Sequence, residues 1–137
     1  MATADRIRDQ ILEAIARALS HLQPARLSFG RGQASFDVNR RVRKGDEDFD
    51  FGANPAGVAD PDVPVLLVES PDPAKRAVVF TYACHNTTIR NEHEGFYRYH
   101  PDYAGVAAAE IERRLPGSTA LYVTGCAGEI DPQLAAG

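Results

Sequence analysis

The chain has few cysteines, no long apolar run and none of the short motifs that announce the commoner catalytic folds. Its two cysteines, Cys84 and Cys126, are too few for a disulfide scaffold. No apolar stretch approaches the ~20 residues that span a bilayer. The charged N-terminus lacks the apolar core of a secretory leader, so the chain as written is expected in the cytoplasm. Positive charge is not in excess: 15 basic residues face 19 acidic ones, for a net charge of −4. With the arginines scattered apart from one short cluster, nothing supports nucleic-acid binding. No Gly-Lys-Ser/Thr follows a glycine turn, which excludes a phosphate P-loop. There is no Gly-x-Ser-x-Gly elbow and no His-Glu-x-x-His, so neither a serine α/β-hydrolase site nor that zinc helix has support. Repeats and low-complexity tracts are absent as well.

What is present is ordinary for a globular domain. The 137 residues are 44% hydrophobic and 25% charged, enough for one domain with a real core. The most informative feature is a matched pair of strand ends. Residues 77–83 form a short apolar, β-branched and aromatic run that stops at Cys84-His85. Residues 120–124 form another, which stops at Gly125-Cys126-Ala127-Gly128 and then presents Glu129 and Asp131. Such runs suit strands buried on both faces. A helical stretch, residues 101–115, lies between them, as a right-handed crossover between parallel strands requires. Sites in open α/β sheets form beyond the carboxyl ends of the strands. His85, Glu129 and Asp131 are therefore expected to converge on one sheet edge.

The rest of the chain frames this pair. Ile7, Ile11, Ile15, Leu19 and Leu22 mark one face of a helix that Pro24 stops, with Thr3 placed to cap it and Asp5 near its positive end. Residues 26–38 alternate, and Gly30 and Gly32 predict a bulge or bend between two short strands. Residues 43–62 read as one long loop rich in turn formers. Residues 63–69 and 75–83 predict a hairpin around a tight proline turn. The fold class is α/β: a mixed, partly parallel sheet with helices packed on it.

Each candidate residue has a functional and a plain reading. Imidazole binds zinc well, and a rigid strand end gives a ligand precision, so His85 is the leading metal-ligand candidate. The plain alternative is a histidine hydrogen-bonded within a packed strand end. Glu129 and Asp131 follow small residues whose N–H groups can approach an oxyanion, or they are solvated acids on a glycine turn. Asn39-Arg40-Arg41 either grips a carboxylate or phosphate, or is a charged strand end. Cys84 and Cys126 read as small buried residues, with a thiolate pair beside His85 the remoter reading. His93 and His100, among Tyr97, Tyr99 and Tyr103, read as loop residues, and His21 as a structural group at a helix C-terminus.

Six stretches in order carry a family resemblance: residues 22–26, Val38-Asn39-Arg40-Arg41, Asp60-Pro61-Asp62-Val63, Tyr82-Ala83-Cys84-His85, Asp102-Tyr103-Ala104-Gly105 and residues 125–132. Together they resemble the N-terminal catalytic domain of the neutral/alkaline, non-lysosomal ceramidases, over nearly the whole chain. The resemblance implies a zinc-dependent hydrolase of amide or related carbonyl bonds. Ceramidases of that family cleave ceramide to sphingosine and fatty acid, with zinc held by two His, a Glu and a Tyr. His85 matches the second of those histidines. The other ligands correspond to positions upstream and downstream of this sequence, which is expected to be a partial domain, an internal piece of a longer protein. At the family's Gly-Asp-x-Ser-Pro-Asn motif this chain reads Gly128-Glu129-Ile130-Asp131-Pro132-Gln133, with Asp131 where the catalytic serine would stand. A carboxylate can act as base or stabiliser but cannot repeat serine chemistry.

The expectation is thus a ceramidase-like zinc hydrolase acting on a small-molecule or lipid amide. His85 is the metal ligand, Glu129 and Asp131 the catalytic acids, and Arg40, Arg41 and Tyr103 the substrate contacts. Activity would require missing segments or another chain. The alternatives are a non-catalytic remnant that holds no metal, or a small binding module built on residues 39–41 and 97–103.

Overall fold

The computed structural model describes residues 3–45, 48–72, 74–89 and 97–133. Among these described residues, two helices and seven strands follow one another as α1 (Thr3–Ser20), β1 (Arg26–Gln33), β2 (Asp37–Arg43), β3 (Phe49–Asn54), β4 (Asp62–Glu69), β5 (Arg76–Tyr82), α2 (Asp102–Arg114), β6 (Ser118–Thr124) and β7 (Ile130–Pro132). The strands form two sheets, ordered β1-β4-β5-β6 and β3-β2-β7. The first is mixed. β4 and β5 form the expected antiparallel hairpin, and β6 returns parallel to β5, with Arg76 opposite Ser118 and Tyr82 opposite Thr124. The fold is α/β, as the alternation of apolar strands and an amphipathic crossover implies.

The parallel pair explains where the core lies. Val78, Phe80 and Tyr82 of β5 alternate inward and are buried. α2 packs across β6, and Tyr122 meets Phe80 edge-on at 5.3 Å. Tyr82, Cys84 and Ile130 then close the core at the strand ends, with Tyr103, Tyr122 and Ala34 against them. Cys84 is fully buried, but Cys126 is exposed, so the expectation of two buried cysteines holds for the first alone. Cys126 lies in the exposed turn after β6.

Two further expectations are corrected. Gly30 and Gly32 make no bulge: β1 runs unbroken from Arg26 opposite Glu69 to Gln33 opposite Asp62. The break falls at residues 34–36 instead. The long loop contains β3, which pairs with β2. Phe49 and Phe51 alternate there, but two apolar residues among acids and glycine carry little strand signal of their own. Strand β7 was also unforeseen; at three residues it is too short to show a period, and pairing with β2 alone defines it.

α2 begins under constraint. Asp102 adopts φ +54°, in the left-handed region that Asp tolerates better than most residues. Its carboxylate accepts N–H bonds from Thr88 and Tyr103 at 2.9 and 2.7 Å, tying the loop after β5 to the helix start. His100 Nδ1 accepts the Asp102 N–H, which gives that exposed histidine a structural task. His21 likewise bonds the Arg17 carbonyl at the end of α1. His93 lies outside the described residues.

Candidate functional site

The site forms where the two sheets meet, and β2 and β7 build it. Val38 stands opposite Asp131, so Arg40, two residues on, shares the face of Asp131. The Arg40 N–H continues the β2–β7 pairing and donates to the Glu129 carbonyl at 2.8 Å, while the β2–β3 register shifts between Asn39 and Arg41. Buried Asn39 holds the irregularity in place. Its amide donates to the Val58 carbonyl and its oxygen accepts from the Arg41 N–H.

Arg40 is the hub. One guanidinium nitrogen donates to Asp131 Oδ1 at 3.1 Å; the other donates to the Gly128 carbonyl at 3.0 Å and lies 3.4 Å from His85 Nε2. Both side chains of the ion pair are mostly shielded, at 21% and 23% exposure, so solvent screens the attraction less than at the surface. Arg40 Nε is buried with no partner among the described residues. Phe51 lies 5.1 Å under the Arg40 guanidinium and 4.7 Å under that of Arg41.

The backbone fixes the tautomer of His85. Its main-chain N–H and its ring Nδ1 both approach the Ile130 carbonyl, at 3.1 and 3.0 Å. A carbonyl only accepts, so Nδ1 carries the hydrogen and Nε2 the lone pair. That is how metal-binding histidines are commonly oriented. Nε2 faces a guanidinium, however, and a cation at that point opposes a second one. Among the described residues no three His, Cys, Asp or Glu side chains gather as a metal site requires. Among the described residues, His85 is thus a single candidate donor and no metal centre is completed.

Behind His85 lies a hydroxyl network that nothing in the sequence pattern announces. Tyr103 donates to the Cys84 carbonyl at 2.7 Å and meets the Tyr122 hydroxyl at 2.8 Å, while Tyr82 donates to Asp37. Burial, above all, pushes the Tyr82 and Tyr103 phenols well above their usual range. Burial also raises the Cys84 thiol to about 12, with the Asp37 charge adding to it. Cys84 is thus a protonated thiol at neutral pH, unlike an activated nucleophile.

Of the expected site residues, His85, Asp131 and Arg40 come together. Glu129 does not join them: its side chain is exposed and lines a separate groove with Cys126, Gly128 and Asp60. Arg41 stacks on Phe51. Tyr103 turns its ring toward an apolar cavity of about 410 Å³ between α2 and the sheet, walled by Phe36, Val65, Phe80 and Tyr122. The hub role of Arg40 was missed; its place on an alternating strand opposite β7 would have indicated it, had β7 been legible.

An α/β segment with a two-sheet junction and a histidine at a strand end defines the class. The sequence matches no protein-family model and no curated protein. Among solved structures, the chain is similar to neutral ceramidase from Pseudomonas aeruginosa, at TM-score 0.65 and 25% identity over 93% of this chain and 20% of that one. It is similar also to a structure described as ceramidase complexed with C2, at TM-score 0.66 and 25% identity over 90% and 19%. The chain spans about a fifth of the length of the solved structures it matches.

Proposed function

We propose that this chain is the histidine-bearing segment of a ceramidase-like zinc hydrolase of amide or related carbonyl bonds. The observation that carries the reading is the geometry of His85: a strand-end imidazole with Nδ1 committed to a carbonyl and Nε2 presenting its lone pair, within a fold similar to ceramidase. When bound, zinc polarises a carbonyl and lowers the pKa of its water to about 7. In this reading His85 supplies one donor, and the others come from a longer polypeptide or another chain. Arg40 holds Asp131 in place beside that donor, where the carboxylate can take up a proton. Glu129, exposed in the groove beside Cys126, serves at the rim. Arg41 and the ring of Tyr103 contact substrate, and the apolar cavity beside Tyr103 supports a lipid amide.

A second reading, a segment that holds no metal on its own, is favoured by the Arg40 guanidinium against Nε2. Zinc content after equilibrium dialysis, for the chain and for His85→Ala, separates the two. Zinc near one per chain, lost in the variant, supports the first. No zinc in either sinks a self-sufficient centre and sends the hydrolase test to a chain carrying the remaining ligands.

A further inference from the structure

Side chains fix both polar groups of the Arg41 main chain. β2 and β3 pair Asn39 with Asn54 and Arg41 with Phe51, so Arg40 alone faces Gly52 and Ala53. The ladder is interrupted there, and two asparagines take its place. The Arg41 N–H donates to Asn39 Oδ1 at 2.9 Å, and the Arg41 carbonyl accepts from Asn54 Nδ2 at 2.8 Å. Asn39 is itself buried and closed in by the turn after β3: a Cβ at Gly57 would lie 2.5 Å from that of Asn39.

The Arg41 side chain is placed as well, yet its donors are unspent. Cross-strand partners share a face, and the Arg41 guanidinium lies 4.7 Å from the centre of the Phe51 ring. Stacking holds a guanidinium by its face and leaves its N–H edge for an acceptor. Among the described residues that edge meets no carboxylate or other acceptor, although Arg41 is half-buried. Arg26, Arg31 and Arg40, by contrast, each hold an acid. The Arg40 guanidinium approaches the same ring at 5.1 Å, but Asp131 offsets its charge. Arg41 is left as the uncancelled cation beside the His85 junction. Phe51, 69% exposed, adds an open apolar surface next to it.

We infer that Arg41 is a specificity-determining residue that receives a carboxylate of the substrate, so that the substrate is an acidic amide of the N-acyl amino acid class. That the carboxylate belongs to a substrate rests on the hydrolase reading above; the contact itself needs no metal. Two parallel N–H···O bonds from one planar fork match a carboxylate. One uncancelled cation balances its single charge, whereas a phosphate monoester brings nearly two. An apolar part of the same molecule can lie against Phe51.

The test is a titration of the chain in EDTA, read by NMR from the Arg41 Nε–H and the backbone amides of β2 and β3. N-acetylglycine should shift these signals saturably and bind about tenfold or more tightly than N-acetylglycinamide, which has the same frame without the charge. Arg41→Gln should abolish that preference and Arg41→Lys should keep part of it. Neither should move the thermal midpoint appreciably, since no ion pair among the described residues is lost. Equal affinity for the two probes, no saturable shift at millimolar probe, or a preference that survives Arg41→Gln overturns the proposal. Inorganic phosphate binding more tightly than N-acetylglycine overturns the carboxylate in favour of a phosphoryl group. With zinc excluded, this result stands apart from the dialysis result. A carboxylate preference in a chain that takes no zinc supports the contact and sinks a self-sufficient centre; zinc uptake without the preference does the reverse.

Discussion

Arg40 stands 3.4 Å from the unprotonated nitrogen of His85 while it grips Asp131 at 3.1 Å. Two residues of opposite proton demand are thus joined through one cation drawn from a different strand. Substituting Arg40→Gln removes that cation and leaves the shielded Asp131 carboxylate unpaired. The expected loss is about 2 kcal/mol, less than for a fully buried pair because both side chains keep some solvent contact. Urea unfolding measures it, and an unchanged midpoint would mean that the pair contributes nothing net. Asp131→Asn should cost less, since a neutral amide can still accept from the guanidinium.

The two thiols should differ in reactivity. Cys126 is exposed, whereas Cys84 is buried with its thiol raised to about 12. Iodoacetamide at mildly alkaline pH should alkylate Cys126 alone in the native chain and both thiols in urea. Peptide mass mapping reads the outcome, and native labelling of Cys84 would contradict the packing described above.

Stability should fall on the alkaline side. The Cys84 thiol, ordinarily near 9.0, and the Tyr82 and Tyr103 phenols, ordinarily near 10.0, are all raised in the fold. Above those values the unfolded chain loses protons that the native chain keeps, so it binds fewer. The unfolding free energy then declines with pH. The urea midpoint should be level with respect to these groups up to about pH 8.5 and drop steadily beyond pH 9 to 10. A midpoint that rises through that window would refute the assignment.

Much of the framework was legible in the sequence, for a physical reason. Residues 77–83 and 120–124 are short apolar, β-branched and aromatic runs, so their composition alone marks them as strands, although only the face of β5 toward α2 is buried, and residues 101–115 carry a helical period between them. The stops at His85 and Gly125 follow directly. β3 and β7 were not legible because neither has an apolar period of its own; each exists by pairing with β2. The site was half legible for the same reason. His85 and Asp131 could be named from strand ends, but what joins them is Arg40, and its reach depends on a register that only the second sheet defines. Glu129, named with equal reason, falls on the turn before β7, where no strand pairing fixes its side chain, and it stays exposed in the groove beside Cys126.

Gly105 and Gly128 offer a paired test of packing. A Cβ at Gly105 would sit 2.1 Å from Pro101 Cβ, and a proline ring at a helix start has nowhere to go. At Gly128 a Cβ meets nothing within 4 Å. Gly105→Ala should therefore destabilise by about 1–3 kcal/mol, and Gly128→Ala should be close to neutral. Equal thermal midpoints for the two variants would show that the start of α2 yields more easily than its contacts imply.

The three residues of β7 have a consequence for the order in which the candidate site assembles. Arg40 and Asp131 are 91 positions apart, and Ile130 supplies the carbonyl that orients His85 from 45 positions away. Everything from α1 through β6 can be synthesised and begin to collapse before any of these contacts is possible. A nascent chain halted after β6 would carry a histidine free to turn and an arginine with no carboxylate to hold. The joining of Arg40, Asp131 and His85 thus waits until β7 docks, which fixes all three side chains in one late step.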